Sequence, residues 1–264
     1  MPSPKGGDPA DELLGVVSLR YDLLSALAEE PREQPALVER LDSSKATVYR
    51  GVTELEAADL VEHGDHGYTL TVPGQVLLAA YEEFRAAAEP TAEASELLRQ
   101  LPDGSPVPPS FLRDAEPVTG APPAAYEPGA RIASLVEDST RVRGLAKAHT
   151  QSDAVDVYNR TVIEEGTDTA FVFDPEMAEH LRSLDDPRIQ ALFASEKFTA
   201  HGTAELPFGL FVGEDERGNA RALLAVYDAD GLLRGVLVND TAPALEWAEE
   251  TYERYKRRAT DGSD

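Results

Sequence analysis

Apolar residues recur at three- and four-residue spacing through the first ninety residues of the chain, which predicts amphipathic helices. Four helices are predicted, at about residues 13–27, 35–41, 44–55 and 73–89. Prolines mark their limits, because Pro31 closes the first helix, Pro35 opens the second and Pro90 follows the fourth. Between the third and fourth helices, two short alternating segments flank a turn at 64–67 and predict a β-hairpin.

The second half of the chain alternates between strand-like and helix-like patterns. Five strands are predicted, at Arg141–Ala146, Thr169–Phe173, Phe208–Val212, Arg221–Tyr227 and Leu232–Val238. Four helices are predicted around them, at 153–165, 175–184, 188–194 and 242–257. The last two strands form a hairpin through a turn at 228–231. This mixture is typical of an α/β domain with a mixed sheet.

A proline-rich stretch separates the two patterns. Residues 102–129 hold eight of the nineteen prolines, and proline interrupts helices and sheets alike. A structureless stretch of that length is rare inside one domain. We therefore predict two domains, at 11–89 and 130–264, joined by a helical and proline-rich linker at 90–129.

Three helices, a hairpin and a further helix, in that order, predict an α+β winged helix-turn-helix domain. In that arrangement the third helix lies in the major groove of DNA and the hairpin contacts the flanking backbone. Val48, Val52 and Leu55 face inward on the third helix, which leaves small, hydroxyl-bearing and basic side chains outside. The predicted DNA-binding residues are Ser44, Lys45, Thr47, Tyr49, Arg50 and Thr53 on this helix, with His63 and His66 on the hairpin.

The local charge favours a polyanion at this helix. Forty-nine acidic residues against 24 basic ones give the chain a formal charge of −25, yet residues 43–53 carry two bases and no acid. The hairpin gives a weaker signal, because Glu62 and Asp65 accompany its histidines. The alternative interpretation is a solvated helix in a bundle, where a charge-poor stretch arises by chance.

The composition indicates a cell interior rich in salt. Only five of the basic residues are lysine, and an acidic, lysine-poor surface is tolerable where salt screens its self-repulsion. The chain has no cysteine, which excludes disulfides, thiolate nucleophiles and Cys-ligated zinc. No signal-peptide pattern and no long apolar run is present, so we predict a cytoplasmic protein without a membrane partner.

Part of the sequence resembles a known family. Residues 42–71 read DSSKATVYRGVTELEAADLVEHGDHGYTLT and resemble the winged-helix module of haloarchaeal transcriptional regulators. The second half resembles the effector domain of archaeal methanogenesis and filamentation regulators, through VRGLAKAHTQSDAVDVYNRTVIEEGTD, LPFGLFV and VYDADGLLRGVLVNDTAPALEWAEETYERY. The resemblance implies a sequence-specific regulator that binds double-stranded DNA as a homodimer. Its second domain is then expected to sense an effector or to mediate assembly.

The second half contains few signs of catalysis. His149, His180 and His201 are candidates for acid–base chemistry, but a phospholipase-D-like site needs a lysine two positions after its histidine. Those positions hold Gln151, Arg182 and Thr203. No nucleophile elbow, phosphate-binding loop or dinucleotide motif is present, and no spacing supports a metal site. We therefore predict no enzyme, no cofactor and no metal.

A small-molecule effector is the better expectation for this half. Ligands of open α/β sheets bind beyond the carboxyl ends of the strands, and His149 follows one predicted strand. Arg143 and Tyr158 complete the predicted ligand-binding set. Two other functions stay open: a winged-helix protein-interaction module that does not bind DNA, and an enzyme in the second half.

Overall fold

The computed structural model describes residues 8–120, 126–148 and 154–259. The chain divides into two compact units, Met1–Ala86 and Ala87–Asp264. The first unit is helical with one hairpin, and the second is built on a seven-stranded sheet.

Helices make up most of the first unit. Its elements are α1 (Pro9–Leu19), α2 (Tyr21–Glu29), α3 (Gln34–Arg40), α4 (Lys45–Ala57), β1 (Val61–Gly64), β2 (Gly67–Leu70) and the start of α5 (Val72–Glu93). The sequence predicted one helix where α1 and α2 lie, because the apolar spacing continues across the break at Arg20. The sequence also predicted that the fourth helix, which corresponds to α5, ends before Pro90, and this was wrong because α5 continues to Glu93. A proline removes one N–H bond and crowds the preceding turn, yet the helix continues past Pro90, where the Ala94 N–H donates to the Pro90 carbonyl at 2.8 Å.

A single apolar core lies beneath these helices. Its fully buried centre consists of Leu24, Leu37, Val52 and Leu55. The hairpin is tied to the chain just before α3, because Arg32 and Tyr68 exchange two backbone hydrogen bonds of 3.0 and 2.9 Å. Gly67 permits this contact, since a Cβ there would lie 2.5 Å from the Arg32 carbonyl carbon.

The second unit contains a mixed sheet, as predicted. Its strands are β3 (Glu116–Thr119), β4 (Arg141–Ala146), β5 (Asp168–Phe173), β6 (Phe198–Thr203), β7 (Gly209–Glu214), β8 (Ala220–Tyr227) and β9 (Leu233–Asn239). They lie in the order β3-β9-β8-β7-β4-β5-β6, with β4, β5 and β6 parallel and the other pairs antiparallel. The sequence predicted all of them except β3 and β6, the two edge strands.

Helices cover both faces of this sheet. They are α6 (Ser95–Leu98), α7 (Pro109–Leu112), α8 (Glu127–Glu137), α9 (Ala154–Tyr158), α10 (Pro175–Ser183), α11 (Pro187–Ala194) and α12 (Ala242–Arg258). A π-helical segment, Asn159–Glu164, continues α9, where the sequence predicted one regular helix over 153–165. One core packs α7 and α12 on the sheet, and a second core packs α8 and α11 on the opposite face. The sequence did not predict α8, because its start falls in the proline-rich stretch.

Much of the stretch predicted as a linker packs into the second unit. Phe111 of α7 is fully buried, and the Asn239 amide donates to the Phe111 and Arg113 carbonyls at 2.8 and 2.7 Å. The Trp247 indole N–H donates to the Pro106 carbonyl at 3.1 Å. Prolines bring no N–H that needs a partner, and side chains of the sheet and of α12 satisfy the carbonyls. The structure divides the chain once, after Ala86, whereas the sequence predicted a first domain that ends at 89 and a second that begins at 130.

Candidate functional site

Helix α4 begins at a side-chain cap. The Ser44 hydroxyl accepts the Thr47 N–H at 3.1 Å, and the two hydroxyls lie 2.9 Å apart. The turn from α3 passes through Asp42 in the left-handed region, with φ of 46°. The first turn of α4 contains no acidic residue. The start of α4 therefore combines exposed hydroxyls with the positive end of the helix dipole.

All six helix residues predicted to bind DNA lie on exposed surface. The α4 face consists of Ser44, Lys45, Thr47, Tyr49, Arg50 and Thr53. Val48, Val52 and Leu55 are buried on the opposite side, as the helical period requires. Tyr49 is 60% exposed, and the Arg50 Nε donates to the Ala46 carbonyl of the same helix at 3.3 Å.

The basic side chains of this face differ from the other arginines of the first unit. Arg20 pairs with Glu54 at 2.8 Å, and Arg40 pairs with Glu29 at 2.9 Å. The hydrogen bond from Arg40 holds the pKa of the Glu29 carboxyl below its usual range. Among the described residues, neither Lys45 nor Arg50 pairs with a carboxylate. Their charges therefore remain available to an external anion.

A glycine sets how closely α4 packs on α2, and the sequence did not single it out. A Cβ on Gly51 would lie 2.3 Å from Leu23 Cδ1 and 3.3 Å from Arg20 Cδ. Gly51 follows Arg50 directly, so this close approach sets the position from which Arg50 projects. A glycine on the apolar face of an otherwise regular helix was the available signal.

The two histidines predicted on the hairpin are both exposed. His63 lies on β1, with its Nε2 3.6 Å from a Glu33 carboxylate oxygen and its ring edge-on to Tyr68 at 4.6 Å between centroids. His66 lies in the turn between the strands. His63 therefore already has an acidic neighbour inside the unit.

The structure separates the predicted ligand-binding residues of the second unit. Arg143 lies on the sheet face that α12 covers, where it pairs with Glu249 at 2.7 Å. Burial raises the pKa of the Glu249 carboxyl, and Arg143 opposes that shift. Tyr158 belongs to the core on the opposite face, edge-on to Phe171 at 5.7 Å, where burial raises the pKa of its phenol. His149 lies outside the described residues.

A cavity of about 480 Å³ lies elsewhere in the second unit and was not predicted. It opens between α10, α11 and the carboxyl ends of β5 and β6. Residues that line it include Phe173, Leu181, Arg182, Ile189, Phe193 and Thr203. Four of the eight phenylalanines fall within residues 171–198, which was the available signal.

Two further observations concern metals and membranes. The described residues contain no group of three or more His, Asp or Glu side chains able to hold a metal ion. Each helix within the described ranges is too short or too polar to cross a bilayer.

Comparison with known proteins places the chain in a family of regulators. The family model described as "Methanogenesis regulatory protein FilR1, middle domain" matches residues 125–258, just over half of the chain. A second model, described as "HVO_A0261 N-terminal domain", matches residues 10–93. Together they support a haloarchaeal, regulator-like protein. The chain belongs to the family of the FilR1 middle domain.

Solved structures give only distant likenesses. NucT from Helicobacter pylori is 12% identical over 53% of this chain and 95% of its own, with a TM-score of 0.37. HmgR from Pseudomonas aeruginosa is 17% identical over 94% of this chain and 99% of its own, with a TM-score of 0.24. The methyltransferase SibL is 15% identical, and the match spans 75% of this chain and 63% of SibL, with a TM-score of 0.27. Scores this low carry no argument about function. No curated protein matches the chain.

Proposed function

We propose that the protein is a transcriptional regulator of a halophilic archaeon and that its first unit is a winged helix-turn-helix that binds double-stranded DNA. In this proposal α4 enters the major groove and the β1–β2 hairpin contacts the flanking backbone. The observation that carries the proposal is the α4 face, where Lys45 and Arg50 project without a carboxylate partner among the described residues.

The start of α4 suits a phosphate group. Helix N-termini bind anions through their free N–H groups and their dipole, and Ser44 and Lys45 add a hydroxyl and an ammonium there. Arg50 lies farther along the helix and has the fork of donors that reads guanine or clamps a phosphate. Thr47, Tyr49 and Thr53 are available for further contacts to sugar, phosphate or base edges.

The α4 face offers few basic groups to DNA, so sequence-independent binding to DNA is weak. Each neutralised phosphate makes affinity more sensitive to salt, and a short set of contacts therefore keeps that sensitivity low. The overall charge of −25 further opposes non-specific association with DNA. Both properties suit a regulator that reads specific sites in a cytoplasm of high ionic strength.

The second unit is the effector and assembly part of this proposal. A homodimer would present two α4 helices to half-sites about one helical turn apart. A ligand that changes the dimer geometry would shift DNA affinity by a coupling free energy of roughly 1–3 kcal/mol. We assign no catalytic step and no cofactor to it.

The proposal is tested by selecting duplexes from a random pool with the full chain in molar KCl and measuring affinities by fluorescence anisotropy. We expect Arg50→Ala to weaken binding of the selected duplex by about 10- to 100-fold, the loss of one good base or phosphate contact. Arg217→Ala, an exposed arginine in a turn of the second unit, is the matched control and should bind as the unaltered chain does.

Two results would contradict the proposal. Unchanged affinity of folded Arg50→Ala would exclude the α4 face as the docking surface. Failure to enrich any sequence with the unaltered chain would instead favour the protein-interaction module, which the acidic charge of the chain also suits.

A further inference from the structure

A cavity opens beside β6, between α10 and α11 of the second unit. Its volume of about 480 Å³ lies within the range of about 300–1,000 Å³ usual for small-molecule sites. It opens at the carboxyl ends of the parallel strands β5 and β6, through Phe173 and Thr203. Ligands of α/β sheets bind at this end of the strands.

Small residues on β6 and a partly exposed helix, α10, border the space. Ala200 and Gly202 of the edge strand β6 form one wall, and Gly202 has a φ of 93°, which disfavours any larger residue. The opposite wall is α10, which has no fully buried residue although Ala178 and Leu181 face the cavity. The helix therefore covers the sheet without filling the gap beneath it.

The interior is apolar and rich in phenylalanine. Phe173 and Phe193 lie 5.8 Å apart between ring centroids on the cavity wall. Phe193 is 43% exposed and places apolar surface at the opening. A smaller cavity of about 70 Å³ shares this wall and extends inward to Phe171 and Tyr158. The combined surface fits an aromatic or branched apolar group.

A cation lies at the rim of the cavity. Arg182, in the last turn of α10, lines the cavity and has no carboxylate partner within the described residues. Arg188 on α11 differs, because Asp186 and Asp156 hold it. Asp185, three residues after Arg182, accepts a 3.5 Å hydrogen bond from the amide of the lining residue Gln190. In a chain of −25 charge, a rim arginine left unpaired favours an anionic ligand group.

We propose that this pocket binds a small organic monocarboxylate whose apolar body lies among the phenylalanines and whose carboxylate pairs with Arg182. Such a ligand is the effector class for the regulatory role proposed above. Binding itself does not depend on DNA recognition, so the two proposals fail separately.

The probes are 4-phenylbutyrate and its neutral amide, titrated calorimetrically into the full chain over a series of KCl concentrations. We expect the acid to bind at least fivefold more tightly than the amide at the lowest salt that keeps the chain folded. This preference should shrink toward 1 M KCl, where the Debye length falls to about 3 Å. Arg182→Gln should abolish the preference, whereas Arg257→Gln should keep it. Arg257 is the matched control because it is an exposed arginine in the last turn of another helix, α12.

A second variant tests whether the apolar body of the ligand occupies the cavity. Ala178→Phe places a ring in the cavity from a partly exposed helix position, so the fold should tolerate it, as circular dichroism will show. It should weaken binding of both probes at least tenfold. Three results would each overturn the proposal: equal affinity for acid and amide, a preference that survives Arg182→Gln, or absence of binding to the unaltered chain.

Discussion

The two units of the chain build their cores and their exposed sites in opposite ways. The first has one core beneath its helices, and its candidate site is the convex, polar face of α4. The second has a core on each face of a sheet, and its candidate site is a concave, apolar gap in one of those layers. The first unit has a cavity of only about 100 Å³ beside α4, whereas the gap between α10, α11 and the sheet measures about 480 Å³. Under the two proposals above, a polar helix face would meet a rigid polymer and an apolar gap would hold a small molecule, so each unit offers the surface that its proposed partner requires.

The largest expected effect comes from truncating Phe111, which anchors the proline-rich stretch. We expect this change to destabilise the second unit and to leave the first unit folded. Phe111 is fully buried and packs on Trp247 at 4.6 Å between ring centroids. Phe111→Ala should destabilise this unit by about 3–5 kcal/mol through lost burial and the cavity left behind. Hydrogen exchange followed by mass spectrometry should show lost protection in β3 and β9 and unchanged protection in α4.

Phe84→Ala is the control, because Phe84 is 63% exposed in the first unit and its loss should change little. If Phe111→Ala also removed protection from α4, the two units would unfold as one and the comparison would be wrong.

A smaller and local effect is expected in the first unit at Gly51. Gly51→Ala should destabilise it by about 1–3 kcal/mol, because the new Cβ collides with the buried Leu23 and displaces α4. Gly15→Ala is the matched control: its Cβ meets nothing within 4 Å, so helix propensity should stabilise the unit by up to about 1 kcal/mol. Urea unfolding followed by circular dichroism measures both. If both variants changed the free energy of unfolding in the same direction, close packing at Gly51 would not be what positions α4.

The smallest expected effect concerns alkaline pH and the second unit. Burial, with a lesser contribution from Glu253, raises the pKa of Tyr252 to about 12 from its usual value of 10. The folded state holds this proton more tightly than the unfolded state does. The stabilisation is therefore complete below pH 10 and is lost as the pH rises from about 10 toward 12.

Urea unfolding at pH 9 and pH 11 should thus show a smaller loss of stability for Tyr252→Phe than for the unaltered chain. Tyr49→Phe, at the exposed position on α4, should lose as much stability as the unaltered chain. Identical losses in all three proteins would argue against a protonated Tyr252 in the folded state.

The sequence predicted those features that depend on local periodicity. The exposed and buried sides of α4 followed from its helical period, since Val48, Val52 and Leu55 fall on one face. Strands β5, β7, β8 and β9 were predictable because each contains a short apolar run, and β4 because Val142 alternates with Arg141 and Arg143. Strand β3 was not, because Pro117 argues against a strand except at an edge, which is where β3 lies.

Features that depend on distant partners escaped prediction. Arg143 and Tyr158 lie on opposite faces of the sheet, and only the strand order and the helix crossings decide that. The pocket is a space that α10 does not fill, and no single residue encodes an unfilled space. Gly51 is informative only once Leu23 is known to lie opposite it.

The pairing of β3 with β9 has a consequence for biosynthesis. Glu116 pairs with Val238, about 120 residues later in the chain, so this edge of the sheet has no partner until most of the second unit has left the ribosome. At roughly 5–20 residues per second, Phe111 and Val118 remain uncovered for roughly 6–24 s, whereas residues 8–86 complete their core beforehand. Nascent chains stalled before β9 should therefore attract chaperones that bind apolar segments, and those released after β9 should not.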